Sequence, residues 1–248
     1  MLTVIGNTVS PYVRKVLTVL RLKGLEFEID PLTPFFGDDR FTELSPLRQI
    51  PVLIDGDAVV RDSSAIVQYL EETRPRPSVF PDASAARAEA RWLEEYADVV
   101  MGDVFVWKGF GRVVIAPAFF GAERDLKAFA QLVDTEVSPI VDFLETRAPA
   151  EGFLCGGFSV ADIAVASMFR MLAFARWTPQ PALWPRVCAW LDRTAAEPAF
   201  AETGAWADAL SRTPPPEQRE KLASLGLRVT DSTYISDRPR RGPVSRIG

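Results

Sequence analysis

A serine set directly before a proline, Ser10-Pro11, closes the turn Gly6-Asn7-Thr8-Val9 and opens a run in which Val13, Val16, Leu17 and Leu20 recur at helical spacing. Serine is a favoured N-cap and proline a favoured first helical residue. The Ser10 hydroxyl therefore stands where backbone N–H groups lack partners and the helix dipole is positive. Such a place suits an anion, and the hydroxyl has one proton to donate to it. The plain alternative is that Ser10 caps the helix and does nothing more. Asn7 and Thr8 put two further polar side chains on the same turn. The 248-residue sequence contains no histidine, which removes a Ser-His-Asp triad, a histidine base near neutral pH and a histidine-ligated metal. Its two cysteines, Cys155 and Cys188, are far apart and form no CxxC. They read as ordinary buried thiols of a reducing compartment rather than a metal or redox pair. Chemistry is left to hydroxyls, carboxylates, backbone groups or a bound reagent.

The elements that must hold these groups follow from patterning. The apolar run Leu2-Thr3-Val4-Ile5 is a strand, Pro11 to Lys23 a helix with Gly24 at its stop, and Glu26 to Asp30 a half-buried strand of alternating polarity. A crossover this short makes the two strands parallel, with a right-handed connection. Pro31 to Asp39 is a loop carrying Phe35 and Phe36, and Arg40 to Leu44 has room for one or two helical turns. Asp-Gly between Pro51-Val52-Leu53-Ile54 and Ala58-Val59-Val60 predicts a hairpin, and a helix with Ala65, Ile66, Tyr69 and Leu70 on one face starts at Ser63. From Ala85 onward only helical spacing remains, with Pro139 expected to kink one helix. Gly157-Phe158-Ser159-Val160-Ala161-Asp162-Ile163 has both halves of a capping box and a hydrophobic staple. Ser159 and Asp162 are thus structural. The expected organisation is a small α/β domain over 1–75, a linker over 76–84, an all-helical domain over 85–213 and an extended tail over 214–248.

Composition narrows the partners. A hydrophobic fraction of 48% with 25% charged residues is that of a folded globular chain, and no apolar run approaches membrane-spanning length. The net charge of −5 argues against nucleic acid. Met1 runs straight into a strand without the basic segment and apolar core of an export signal, so a cytoplasmic location is expected. The tail is Arg/Pro-rich (Arg238, Arg240, Arg241, Arg246). With seven Lys/Arg against four Asp/Glu it carries +3, which leaves −8 on the rest of the chain. Ordered packing of this tail and a mobile, functionless tail stand about equal.

Four separated signals in this order resemble the glutathione S-transferase family, of the serine type found in bacterial and theta-, tau- and zeta-like members. They are Ser10-Pro11-Tyr12-Val13-Arg14, Gln49-Ile50-Pro51-Val52-Leu53, Asp62-Ser63-Ser64-Ala65-Ile66 and the Gly157 to Asp162 motif. The resemblance covers roughly residues 1 to 210. It implies a thioredoxin-like N-terminal domain (β-α-β-α-β-β-α, mixed sheet) followed by an all-α bundle, with glutathione as co-substrate and no metal. It also implies that Ser10 donates to the glutathione sulfur, that Pro51 is cis with Ile50 pairing through its backbone with the tripeptide, and that Asp62 and Ser63 hold the γ-glutamyl end. Asp62 is one methylene shorter than the glutamate common in the family. Gln49 is a candidate for the glycyl end, and Asn7 and Thr8 remain rivals of Ser10 for the sulfur. The function implied is attack of the glutathione thiolate on a hydrophobic electrophile, in a pocket for which Tyr12, Phe35, Phe36, Phe105, Trp107 and Phe110 are candidates. Glutathione-dependent isomerisation, dehalogenation or peroxide reduction, and a catalytically weak scaffold of the same fold, are the alternatives. A homodimer is the family's usual assembly. Lowering a thiol pKa from about 8.5 by two units needs about 2.7 kcal/mol of preference for the anion. A hydrogen bond to a charged acceptor supplies about 1.5–3 kcal/mol and a helix N-terminus about 0.3–1 kcal/mol, so no histidine base is required.

Overall fold

The computed structural model describes residues 1–243, and the tail's last residues, with Arg246 among them, lie outside the described residues. The described residues divide into two compact units: Met1–Ser78 together with residues 201–243, and Val79–Phe200. In the first, β1 (Leu2–Ile5), α1 (Pro11–Leu22), β2 (Phe27–Asp30), α2 (Asp39–Leu44), β3 (Val52–Asp55), β4 (Ala58–Arg61) and α3 (Ser63–Thr73) follow the expected order. A 3-10 turn at Pro34–Phe36 precedes α2. Among the described residues one four-stranded sheet has the order β2-β1-β3-β4, parallel between β1 and β2 and antiparallel elsewhere. Val4, Ile5, Ile29, Val52 and Leu53 are fully or almost fully buried in it. The branched residues fill the pleat while α1 covers them with Val13, Val16, Leu17 and Leu20, none of which is exposed.

The second unit is helical. α4 (Ser84–Tyr96) runs on without a break through Ala97–Ile115, wound wide so that the Ala116 N–H reaches back five residues to the Gly111 carbonyl, into α5 (Ala116–Phe120). α6 (Leu126–Leu132) and α7 (Ser138–Arg147) are joined by another wide turn, Val133–Val137. Pro139 follows this wide turn directly, at the start of α7, where it contributes no N–H to a helix that is continuous with the turn before it. α8 (Val160–Phe174), buried nearly all round, is the unit's central helix, followed by α9 (Pro185–Ala196). No helix among the described residues is long and apolar enough to cross a membrane.

α10 (Pro198–Ser211) was expected to end the helical domain, yet from Ala201 it groups with the sheet unit. Its side chains explain why. Thr203 shares a hydrogen bond with Thr18 of α1 at 2.9 Å, Glu202 receives two from Arg21, and Trp206 packs edge-on to Phe27 of β2 at 6.3 Å between centroids. After α10 comes α11 (Gln218–Ser224), and the tail then lies along the sheet edge. The Ile29 N–H donates to the Arg228 carbonyl and the Thr230 N–H to the Ile29 carbonyl, at 2.9 and 3.1 Å. This parallel bridge covers the open edge of β2. Tyr234 and Ile235 pack on the cluster of Ile5, Leu32, Phe41 and Val52. The buried Asp30 carboxylate gathers Arg219, the Thr233 hydroxyl and the Tyr234 N–H. Of the two readings of the tail, ordered packing holds as far as residue 243.

Candidate functional site

Strand register sets the site. Ile5 pairs with Asp30 on one side and Val52 on the other, and Val52 pairs with Arg61. One residue further out, Gly6, Pro31, Pro51 and Asp62 therefore share one end of the sheet. This is the carboxyl end of β1 and β2, the end at which open α/β sheets hold ligands. Gly6 is packed so closely that a Cβ there would stand 2.5 Å from Val13 and 3.2 Å from Ile50. The turn before α1 and the residue before Pro51 thus lie side by side.

Ser10 is the N-cap of α1, extended at φ −63° and ψ 130°, and its Oγ accepts the Val13 N–H at 3.4 Å. The residue is half-buried, and none of the described residues takes its hydroxyl proton. Below it Arg14 donates to the Val9 carbonyl at 2.8 Å and Lys15 to Ser64 Oγ at 3.1 Å, both side chains buried. Two cations at the first turns of α1 reinforce the positive end of the helix. Arg14 stood in the Ser10-to-Arg14 motif without a role of its own and Lys15 was not singled out, because a basic residue at a helix start reads as a solvated one.

The two rivals on the turn have other surroundings. Asn7 is buried, and its amide donates to Pro31 O (3.3 Å), Thr33 Oγ1 (3.1 Å) and Gln218 Oε1 (2.7 Å), while its Oδ1 accepts the Val9 N–H at 3.0 Å. Thr8 is wholly buried with an unpartnered hydroxyl.

Across the sheet end the Ile50-Pro51 bond is cis, as the resemblance implied. Arg48, in the left-handed region at φ 52°, spends its guanidinium on Thr42 Oγ1 and the Gly37 and Pro34 carbonyls, which shapes the loop leading to Pro51. Burial lowers its pKa. Gln49 is exposed, with both backbone groups tied to Ser45 Oγ. Asp62 caps α3, its Oδ1 accepting the Ser64 and Ala65 N–H groups, from a backbone at φ 75° and ψ 136°. A non-glycine residue held there carries strain of roughly 1–3 kcal/mol, and such strain concentrates at ligand clamps. The Asp62 side chain is exposed, while Ser63 is buried.

The aromatic candidates separate. Tyr12 and Phe36 are half-buried in the sheet unit, and Phe35 is buried there. In the helical unit Phe105 is fully buried against Phe169 and Phe110 packs on Phe174, so both serve that core, while Trp107 is half-buried.

Comparisons with known proteins agree with this layout. Residues 4–78 match the family model "Glutathione S-transferase, N-terminal domain" and residues 111–198 match "Glutathione S-transferase, C-terminal domain". Glutathione S-transferase 3 of Zea mays is 34% identical over 228 residues, covering 85% of this chain and 95% of the relative. Among solved structures, a glutathione S-transferase from Rhodospirillum rubrum superimposes with a TM-score of 0.76 over 87% of this chain and 95% of its own. Its 23% identity speaks to the fold alone. The theta class glutathione S-transferase of Xanthomonas axonopodis pv. citri, solved with glutathione bound, is 27% identical with a TM-score of 0.67, covering 82% of this chain and 96% of that one.

Proposed function

This chain belongs to the glutathione S-transferase family and is a transferase, and from that premise we propose that Ser10 holds the glutathione sulfur as a thiolate for attack on an apolar electrophile. One observation carries the assignment. Of the three polar side chains on the turn, Ser10 alone is partly exposed with an uncommitted proton, whereas the Asn7 amide is saturated and Thr8 is fully buried. In this reading the thiol proton leaves to solvent and Ser10 donates to the sulfur anion. The sulfur then forms a bond to carbon as the electrophile's leaving group departs with its electron pair. Asp62 faces the γ-glutamyl ammonium with the oxygen not used for capping, Ser63 and the Ile50 backbone fix the tripeptide, and Gln49 lies toward the glycyl end. Tyr12 and Phe36 are the half-buried aromatics offered to the electrophile. Isomerisation, dehalogenation and peroxide reduction draw on the same thiolate, and product analysis with each substrate class separates them.

The test is the ultraviolet absorbance of the glutathione thiolate on the native protein and on Ser10→Ala, followed against pH. The variant is expected to bind glutathione with a thiolate pKa raised by one to two units, about the worth of one charged hydrogen bond, and to lose transferase activity in proportion. Absence of glutathione binding by the native protein would refute the reading. An unchanged pKa in the variant would move the role away from Ser10.

A homodimer belongs to the same proposal. Trp92, Val99 and Val100 are 43%, 57% and 39% exposed on one continuous helical stretch, an apolar stripe that a second copy would cover. Light scattering is expected to give twice the 27.4 kDa of one chain, and a single-chain mass would contradict it.

A further inference from the structure

Asn7 and Gln218 are 211 residues apart and joined by a 2.7 Å hydrogen bond in a buried setting. Their neighbours fix which way both amides point. The Asn7 oxygen must be the atom facing the Val9 N–H, so its nitrogen faces the Pro31 carbonyl, Thr33 Oγ1 and Gln218. Gln218 in turn has its nitrogen on the Leu210 and Thr213 carbonyls, at 3.3 and 3.0 Å, which leaves its oxygen for Asn7. The donations therefore run in one sense, from Asn7 to Gln218 and from Gln218 to the carbonyls at the carboxyl end of α10. At the far end Asn7 governs the turn twice: Oδ1 accepts the Val9 N–H, and its backbone carbonyl accepts the Ser10 N–H at 3.0 Å. These two bonds set the backbone that carries the Ser10 hydroxyl to the helix start. A rotated Asn7 amide would present N–H to N–H at Val9 and open the turn.

We infer that Gln218, in the C-terminal extension, is a positioning residue for thiolate formation, acting through Asn7 to hold the turn that presents Ser10. This rests on the reading of Ser10 given above. The extension thereby becomes part of the sulfur-activating apparatus rather than an appendage. Arg219 and Asp30, joined at 3.0 Å, hold α11 beside this link.

The test measures thiolate absorbance against pH, with glutathione at saturation, for the native full-length protein, Gln218→Leu, Ser10→Ala and the double variant. Gln218→Leu is expected to lower the acid dissociation constant of bound glutathione ~3–10-fold, part of the worth of a well-placed charged hydrogen bond, with KM for glutathione changed less than about twofold. In the Ser10→Ala background the same substitution should change nothing further, because its effect passes through that hydroxyl. Should Gln218→Leu fail to fold, Asn7→Ser cuts the link from the other end, while its hydroxyl still accepts the Val9 N–H as an ST-turn. The same shift is expected from it. If Gln218→Leu folds and leaves the dissociation constant unchanged while Ser10→Ala lowers it, the positioning role is overturned and the assignment of Ser10 stands. If Ser10→Ala itself has no effect, the assignment of Ser10 fails and the positioning role falls with it.

Discussion

At the residue scale the turn 7–10 distributes work that side-chain types alone left open. Ser-Pro at a helix start made Ser10 legible in the sequence as a cap and as a candidate anion site. The choice among Ser10, Asn7 and Thr8 was not legible, because it depends on Gln218, Pro31 and Thr33, and no pattern along the chain announces that residue 218 meets residue 7. Asp62 was readable as a cap, but its left-handed backbone was not, since aspartate carries no mark of positive φ as glycine does. Both cysteines are unpaired, but they are half-buried rather than the buried thiols expected from sequence. Cys155 is unpaired with its pKa pushed up to about 11, first by burial and then by the Asp162 and Glu89 charges. At pH 7.5 only about one such thiol in a few thousand is ionised, and the thiolate is the reactive form. An aromatic disulfide reagent should therefore modify Cys155 in the folded protein at least ~10-fold more slowly than in denaturant. Modification at the free-thiol rate would mean that this thiol is activated after all.

At the element scale the most legible device was the start of α8. The Ser159 N–H donates to Asp162 Oδ2 at 3.1 Å, completing the capping box seen in the motif. The sequence did not reveal that Asp162 Oδ1 also accepts the Leu154 N–H and the Trp190 indole N–H, at 2.9 and 2.8 Å. Those partners come from a loop and from α9, so the cap is a junction of three segments. Burial pushes the Asp162 carboxyl up while these donors pull it down. Removing it strands several buried donors at once, each costing about 1–3 kcal/mol. Asp162→Ala is accordingly expected to lower unfolding free energy by about 3–5 kcal/mol, and Asp162→Asn by less, since its oxygen still accepts. Urea denaturation measures both, and an Asp162→Ala variant within 1 kcal/mol of native would show that the junction is dispensable. Helix existence and order were readable from 3.6-residue spacing. The wide winding of Ala97–Ile115 was not, because wide and ordinary helices share that spacing to within a residue over a short window.

At the scale of the molecule, a +3 tail and a −8 remainder leave room for attraction, yet net charge is not what holds the tail. The pair Arg240 to Asp39 is largely exposed, at 47% and 86%, and a pair of that kind adds little and is screened by salt. The lasting contacts are the backbone bridge to Ile29, the packing of Tyr234 and Ile235 on the sheet core, and the Asp30 carboxylate, whose side chain is fully buried. Salt reaches none of these. A trypsin cleavage assay at Arg228 and Arg240 separates the two mechanisms. Raising ionic strength to about 1 M, where the Debye length is about 3 Å, is expected to leave the cleavage rate within twofold once trypsin's own salt response is subtracted. Asp30→Ala leaves Arg219, the Thr233 hydroxyl and the Tyr234 N–H without their shared acceptor, and it should speed cleavage by tenfold or more, matching a loss of at least about 1.4 kcal/mol of tail docking. Rapid cleavage in salt with a slow Asp30→Ala variant would reverse the conclusion and return the tail to electrostatics. Because Gln218 sits at the base of the same extension, a released tail should also shift the bound thiolate in the direction of Gln218→Leu, which ties the sheet edge to the chemistry at its end.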